Sequence, residues 1–360
     1  MPKDNENVPL PDWATELEET APARFAPNEM VRCDNCLRAN PPTRVNCLYC
    51  GVLLPSSESS AVLQQPLLRP LEKWERGYNN ILMPPAANLT TTVLAEAAGL
   101  LRLTPEHLAL IFAAGTPLPL ARASSLPEAS LIKDRLQKLG INSLIMPDAE
   151  VEPDTGGVFR VRSMEIDQDK FHVYQSREAS PVTLSWSNLR LIVSGRLVFK
   201  RVEFKEQKAK RAENSILEAN EFITDETVVD FYAERQSAAF RIAANSFNFS
   251  CLGANKSLLV ADNIMRLVQL IRENAPQAEH DNSFNSLRKV LELVWPAEQQ
   301  NESSGWRRER PGKVSLGSAT ELNNQSQFQW YSQMRRFLQT ESALSPEQQP
   351  CNSESHDGLS

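Results

Sequence analysis

The chain has 360 residues, 41% of them apolar, and a formal net charge of −7 at neutral pH. That length accommodates two or three domains and the apolar share is enough to build cores. The acidic balance argues against general binding to nucleic acid or anionic membranes, and no apolar run approaches the ~18 residues of a membrane span.

Residues 1–28 mix Asp, Glu and Asn with prolines and show no periodicity, so they are expected to be a disordered leader, with Trp13 and Leu17 as an alternative short docking motif. The firmest chemical content follows. Cys33-Asp34-Asn35-Cys36 and Cys47-Leu48-Tyr49-Cys50 are two C-x2-C pairs separated by ten residues. Each pair presents two thiolates from one tight turn, and two such turns supply a closed tetrahedral site with no position left for water. The N-terminus carries no apolar signal segment, which implies a reducing cytoplasm, where paired cysteines serve as metal ligands more often than as disulfides. Four thiolates suit zinc and also rubredoxin-type iron; the expectation is one structural Zn2+ held by Cys33, Cys36, Cys47 and Cys50 within a module at residues 29–54. The serine- and proline-rich stretch 55–72 reads as a linker.

The pattern C-x2-C-x3-N-P-x5-C-x2-C-G-x2-L over these residues resembles the short zinc ribbons of bacterial proteins. It also resembles the Ran-binding-protein type of zinc finger, with Val31 in place of that family's tryptophan. The second resemblance implies RNA contact by the asparagine, Asn40.

Residues 73–148 read as a small α/β domain. A strand near Asn80 to Met83 opens it, and Thr90 to Leu101 places Val93, Leu94, Ala97 and Leu101 on one helical face. Thr104-Pro105-Glu106 starts a second helix, with Thr104 as its cap. A strand at Pro117 to Ala121, a helix from Ser125 to Leu139 and a strand from Ile141 to Met146 complete the order. Together with Ala113-Ala114-Gly115-Thr116-Pro117 and Ala129-Ser130-Leu131-Ile132-Lys133-Asp134, this order resembles the C-terminal domain of the bacterial ribosomal stalk protein. The resemblance implies a fold; the lysine with which that family contacts translation GTPases is absent from Arg102-Leu103-Thr104-Pro105-Glu106.

From Val158 onward, short runs of alternating character point to an antiparallel sandwich or barrel: Val158 to Ile166, Phe171 to Gln175, Val182 to Trp186, Leu189 to Val193, Leu197 to Phe204, Val228 to Glu234 and Ala239 to Phe249. A helix from Ser257 to Glu273 and another beginning near Asp281 cap this block at 158–296. About seven strands closed by a helix resembles pleckstrin-homology-like domains in topology, which implies a recognition module rather than an enzyme. Within it, Arg196, Lys200, Arg201, Lys205, Lys208, Lys210 and Arg211 form a basic run, either a phosphate- or nucleic-acid-binding patch or a solvated hairpin end.

Residues 297–360 return to Gln, Asn, Ser and Pro and are expected to be mostly disordered, apart from a helix at 327–338. There Phe328, Tyr331, Met334 and Phe337 would dock on a partner or on the β-rich block. His107, His172, His280 and His356 lack neighbouring partner patterns, Cys251 reads as a packing residue, and no catalytic motif is present. The chain therefore reads as an α+β multidomain, cytoplasmic, non-enzymatic adaptor with a protein partner and no evident small-molecule substrate. The alternatives are a nucleic-acid-associated factor using the ribbon and the basic run, and an enzyme without a local motif.

Overall fold

A computed structural model describes residues 25–55, 63–72, 74–84, 89–151, 158–176, 178–207, 215–234, 238–310 and 313–344. The chain is a mixed α/β protein that divides into two compact units, Met1–Leu67 and Leu68–Ser360. Most of the expected leader, the serine run at 56–60 and the last sixteen residues lie outside the described residues.

In the first unit, β1 (Val31–Arg32) pairs antiparallel with β2 (Ala39–Asn40). Its small buried cluster is Cys33, Cys47 and Leu54, with Val31 and Cys36 packed against it. So few side chains cannot offset the entropy of ordering the segment, and a cross-link through the sulfurs is the available remedy.

The second unit begins with a three-stranded antiparallel sheet in the order β4-β3-β5, made of β3 (Tyr78–Leu82), β4 (Pro119–Ala123) and β5 (Ser143–Pro147). Three helices pack beside it: α1 (Thr91–Leu101), α2 (Pro105–Ala113) and α3 (Leu126–Lys138). Each starts where a hydroxyl can accept from an otherwise orphaned backbone N–H, Thr90 from Val93, Thr104 from His107 and Ser125 from Glu128. Asp148, buried after β5, accepts from Gly77 N at 2.6 Å and Asn79 Nδ2 at 2.9 Å and pairs with Arg122 at 2.5 Å.

The largest sheet runs in the order β14-β15-β10-β11-β12-β6, with β13 beside β10. Its strands are β6 (Phe159–Val161), β10 (Leu189–Gln207), β11 (Ser215–Ala233), β12 (Phe240–Ala243), β13 (Glu279–Asp281), β14 (Glu298–Arg310) and β15 (Lys313–Asn323). Two pairings, β12 with β6 and β10 with β13, are parallel, so the sheet departs from the purely antiparallel arrangement that the strand pattern suggests. A separate antiparallel sheet contains β7 (Ser163–Ile166), β8 (Lys170–Tyr174) and β9 (Val182–Ser185).

Both faces of the large sheet are covered. One face carries Ile192, Val229, Phe231, Phe240 and Ile242 into a core shared with Phe171, Trp186 and the apolar stripe of α4 (Val260–Asn274). The other presents Leu191, Val193, Leu197 and Val228 to α5 (Phe284–Leu291) and α6 (Gln325–Leu344), and this core is continuous with that of the small α/β piece. Trp295 Nε1 donates to Asn79 Oδ1 at 2.9 Å, and Arg122 lies over the Trp330 ring at 4.7 Å. Residues 73–148 and 158–296, read from the sequence as separate domains, thus belong to one compact unit with a common core.

The stretch from Glu298 to Leu344, expected as a mostly disordered tail, instead forms β14, β15 and α6. Its Gln- and Ser-rich strands gain their order from backbone pairing: β15 pairs with the distal half of β10 from Phe199 to Gln207. On α6, Phe328, Tyr331 and Met334 are fully buried against the sheet, and Phe337 packs partly buried on the same core. Gly195 permits this close approach, because a Cβ there would overlap the rings of Phe328 and Phe284. Gly195→Ala should therefore destabilise the second unit by about 1–3 kcal/mol through overpacking, measured by urea unfolding. An unchanged midpoint would show that the helix and sheet can separate without cost.

Candidate metal centre

The local sequence builds the centre from two turns of the same design. Cys33 N donates to Arg38 O and Leu37 N to Cys33 O; in the second turn Cys47 N donates to Val52 O and Gly51 N to Cys47 O. Both turns therefore close with a residue in the left-handed region four places after the leading cysteine, Leu37 at φ 60° and Gly51 at φ 74°. Glycine takes that conformation without strain; leucine does so at a cost.

These turns bring Cys33, Cys36, Cys47 and Cys50 together, with all four Sγ atoms within 4.8 Å of one another. Cys33 and Cys50 sulfurs lie 3.6 Å apart and those of Cys36 and Cys47 3.5 Å apart. Both separations far exceed a disulfide bond and approach the ~3.8 Å edge of a tetrahedron with bonds of ~2.3 Å to a central ion. The four cysteines are free thiols in a geometry that can hold a metal ion.

Asn40 joins the two turns. Its side chain is fully buried, donating to Arg38 O at 3.0 Å and toward Cys47 Sγ at 3.4 Å while accepting from Leu48 N at 2.8 Å. The asparagine for which the finger resemblance implies RNA contact is thus engaged within the module. Burial opposes ionisation of Cys47, but N–H donors from Tyr49 and Cys50 and the side chains of Cys36 and Asn40 outweigh it, lowering the thiol from 9.0 to about 6. Cys50 is lowered as well, chiefly by the Val52 backbone N–H and the Asn35 side chain. A hydrogen bond from the Arg38 backbone favours the Cys36 thiolate, yet desolvation and the neighbouring sulfurs push that group up to about 12. A cation at the centre reverses this penalty, since each added thiolate then meets positive charge.

The other sequence-derived sites are distributed differently. Arg196 pairs with Asp225, Lys200 with Glu221 at 2.8 Å, and Arg201 with Glu203 at 2.7 Å, Glu302 at 3.7 Å and also Glu321. Arg196, Lys200 and Arg201 therefore face carboxylates on their own strand and on neighbouring ones. Lys205 lies on β10, while Lys208, Lys210 and Arg211 fall outside the described residues. Cys251 is partly buried, and that burial pushes its thiol up to about 11; Cys351 lies outside the described residues.

One cluster escaped the sequence reading. His172 contacts Thr183 Oγ1 at 2.8 Å through Nδ1 and Asp167 Oδ2 at 3.3 Å through Nε2. The three residues meet only because β8 lies between β7 and β9, and they sit on an exposed sheet face. Strand alternation alone holds no sign of that register.

No family model matches the chain, and comparison with curated proteins and with solved structures found no match. The left-handed residues provide a direct test of the turn geometry. Leu37→Gly should strengthen metal retention against a competing chelator and Gly51→Ala should weaken it, each by a shift of about 1 kcal/mol. Neither glycine conformation nor the exposed Leu37 side chain involves a ligand, so opposite signs in the two variants isolate the backbone.

Proposed function

We propose that this protein is a non-enzymatic adaptor whose N-terminal module is built on one structural zinc ion and binds a protein partner. The carrying observation is the closed four-sulfur cluster. Four thiolates complete a tetrahedral coordination and leave no open position, so the ion holds a surface in place instead of activating water. Thiolate ligation suits iron as well as zinc, and zinc is the choice for a site whose role is folding alone. Binding would contribute on the order of ~10 kcal/mol to a segment that has almost no core of its own.

The surface so formed supports the adaptor reading. The turns direct Leu37, Leu48, Tyr49, Val52 and Leu53 outward, each between 44% and 60% exposed. Apolar side chains grouped on so small a module fit a protein contact better than a phosphate backbone. In the second unit, the strands from β6 to β12 followed by α4 are read as a pleckstrin-homology-like recognition platform, and the small α/β piece as a ribosomal-stalk-like fold. The β-α-α-β-α-β order from β3 to β5 supports the second reading. A reducing cytoplasm suits four free thiolates, and among the described residues no helix is long and apolar enough to cross a membrane.

Protein purified under reducing conditions should contain zinc in equimolar amount and no iron by elemental analysis. Cys36→Ala should lose the ion and unfold residues 29–54 while the melting of Leu68–Ser360 stays unchanged. For the adaptor role, Tyr49→Ala with Leu53→Ala should retain zinc yet lose the partners captured by the metal-loaded protein. Undiminished capture, or retention on RNA that falls steeply with salt, would overturn it.

A further inference from the structure

A second site lies in the second unit, apart from the cysteines, where the large sheet emerges from beneath α6. It is a cleft of about 480 Å³, within the range of small-molecule sites. The strand register explains its composition. Paired residues of neighbouring strands share a face, so Asp230 of β11, Arg241 of β12 and Arg160 of β6 lie side by side on one rung. Asp230 and Arg241 consume each other's charge through two hydrogen bonds of 2.7 and 2.8 Å in a buried pair. Arg160 is left over, and Arg162, two residues further along, lines the same cleft. Among the described residues neither guanidinium has an ion-pair or hydrogen-bond partner, in contrast to Arg196, Lys200 and Arg201.

The rest of the cleft changes character with distance from these two arginines. Ala243 and Val228 form the adjoining rung, and Leu197 and then Phe199 of β10 follow. Phe199 is 39% exposed, an uncovered ring at the far end of the floor. Three strand spacings separate β6 from β10, about 14 Å in all. On the side of α6, Gln325 and Gln329 stand four residues apart on one face of the helix. Both are half-buried, and their side-chain amides make no hydrogen bond among the described residues. A single carboxylate, Glu226, intervenes, with one oxygen accepting from Asn245 N at 2.9 Å.

We propose that this cleft binds an elongated organic oxyanion with a flat apolar body, its carboxylate or phosphate head on Arg160 and Arg162 and its body extending past Ala243 along the edge of Leu197 to Phe199. Guanidinium forks pair with either head group in a bidentate manner. The free Gln325 and Gln329 amides supply hydrogen bonds along the body, and Glu226 limits the negative charge that the middle of the cleft accepts. The site is independent of the zinc reading, since it uses no residue of the first unit.

The test uses the full-length protein and calorimetric titration with 2-naphthoate, 2-naphthyl phosphate, neutral 2-naphthylmethanol and inorganic phosphate. Saturable binding is expected for at least one naphthyl anion, and the tighter of the two identifies the head group. The neutral alcohol and inorganic phosphate, each lacking half of the recognised chemistry, should bind at least about tenfold more weakly. Arg160→Gln with Arg162→Gln should weaken the anion by at least about tenfold, whereas Glu226→Gln should leave it equal or tighter. If the double variant melts early, Arg162→Gln alone decides the same question. Absence of saturable binding up to about 5 mM of either anion, equal binding by the alcohol, or unchanged binding in the arginine variant would overturn the proposal.

Discussion

The pairing of β10 with β11 is the constraint on which the second unit depends. Leu191 and Val193 point to one face and Ile192 to the other, and all three are fully buried. A strand buried on both sides requires a layer on each, and the chain supplies them from distant segments: α4 and the small β7–β9 sheet on one face, α5, α6 and the small α/β piece on the other. Removing either layer would expose a whole row of apolar side chains. This explains why residues with a domain-like order of their own, from Tyr78 to Pro147, are joined to the sheet through a continuous core.

Beyond Leu197 the same two strands continue with less burial, and the basis of their order changes. Phe222 and Ile223 are exposed, and the strands are held by backbone ladders and cross-strand ion pairs such as Lys200 with Glu221. Exposed pairs of this kind contribute little stability individually, but they neutralise the basic side chains where they stand. On the rung shared by β11, β12 and β6, Arg241 already has Asp230, so the charge of Arg160 beside it is not neutralised in this way.

In the first unit the balance is chemical. Cys33, Cys47 and Leu54 are too small a core to specify a fold, and without a cation the lowered Cys47 and Cys50 thiols would set negative charge against negative charge. Asn40 aligns the two turns by bonding to both, so its burial belongs to the geometry of the sulfurs.

Much of this was legible in the sequence wherever the physics is local. The cysteine spacing implies the two turns, Thr90, Thr104 and Ser125 mark helix starts, and the three-residue spacing of Phe328, Tyr331 and Met334 marks the buried face of α6. Each of these depends on neighbours within one or two turns of chain. The β14–β15 hairpin was not legible, because β14 carries no apolar alternation, β15 has only Val314 and Leu316 in alternation, and β15 pairs with a strand about a hundred residues away. Nor could the sequence decide which arginines find carboxylates, that Asn40 turns inward, or that Thr183 and Asp167 meet His172. Register and layer packing decide those, since hydrogen bonds and ion pairs form between residues adjacent in space, and adjacency across a sheet is set only once the sheet has closed.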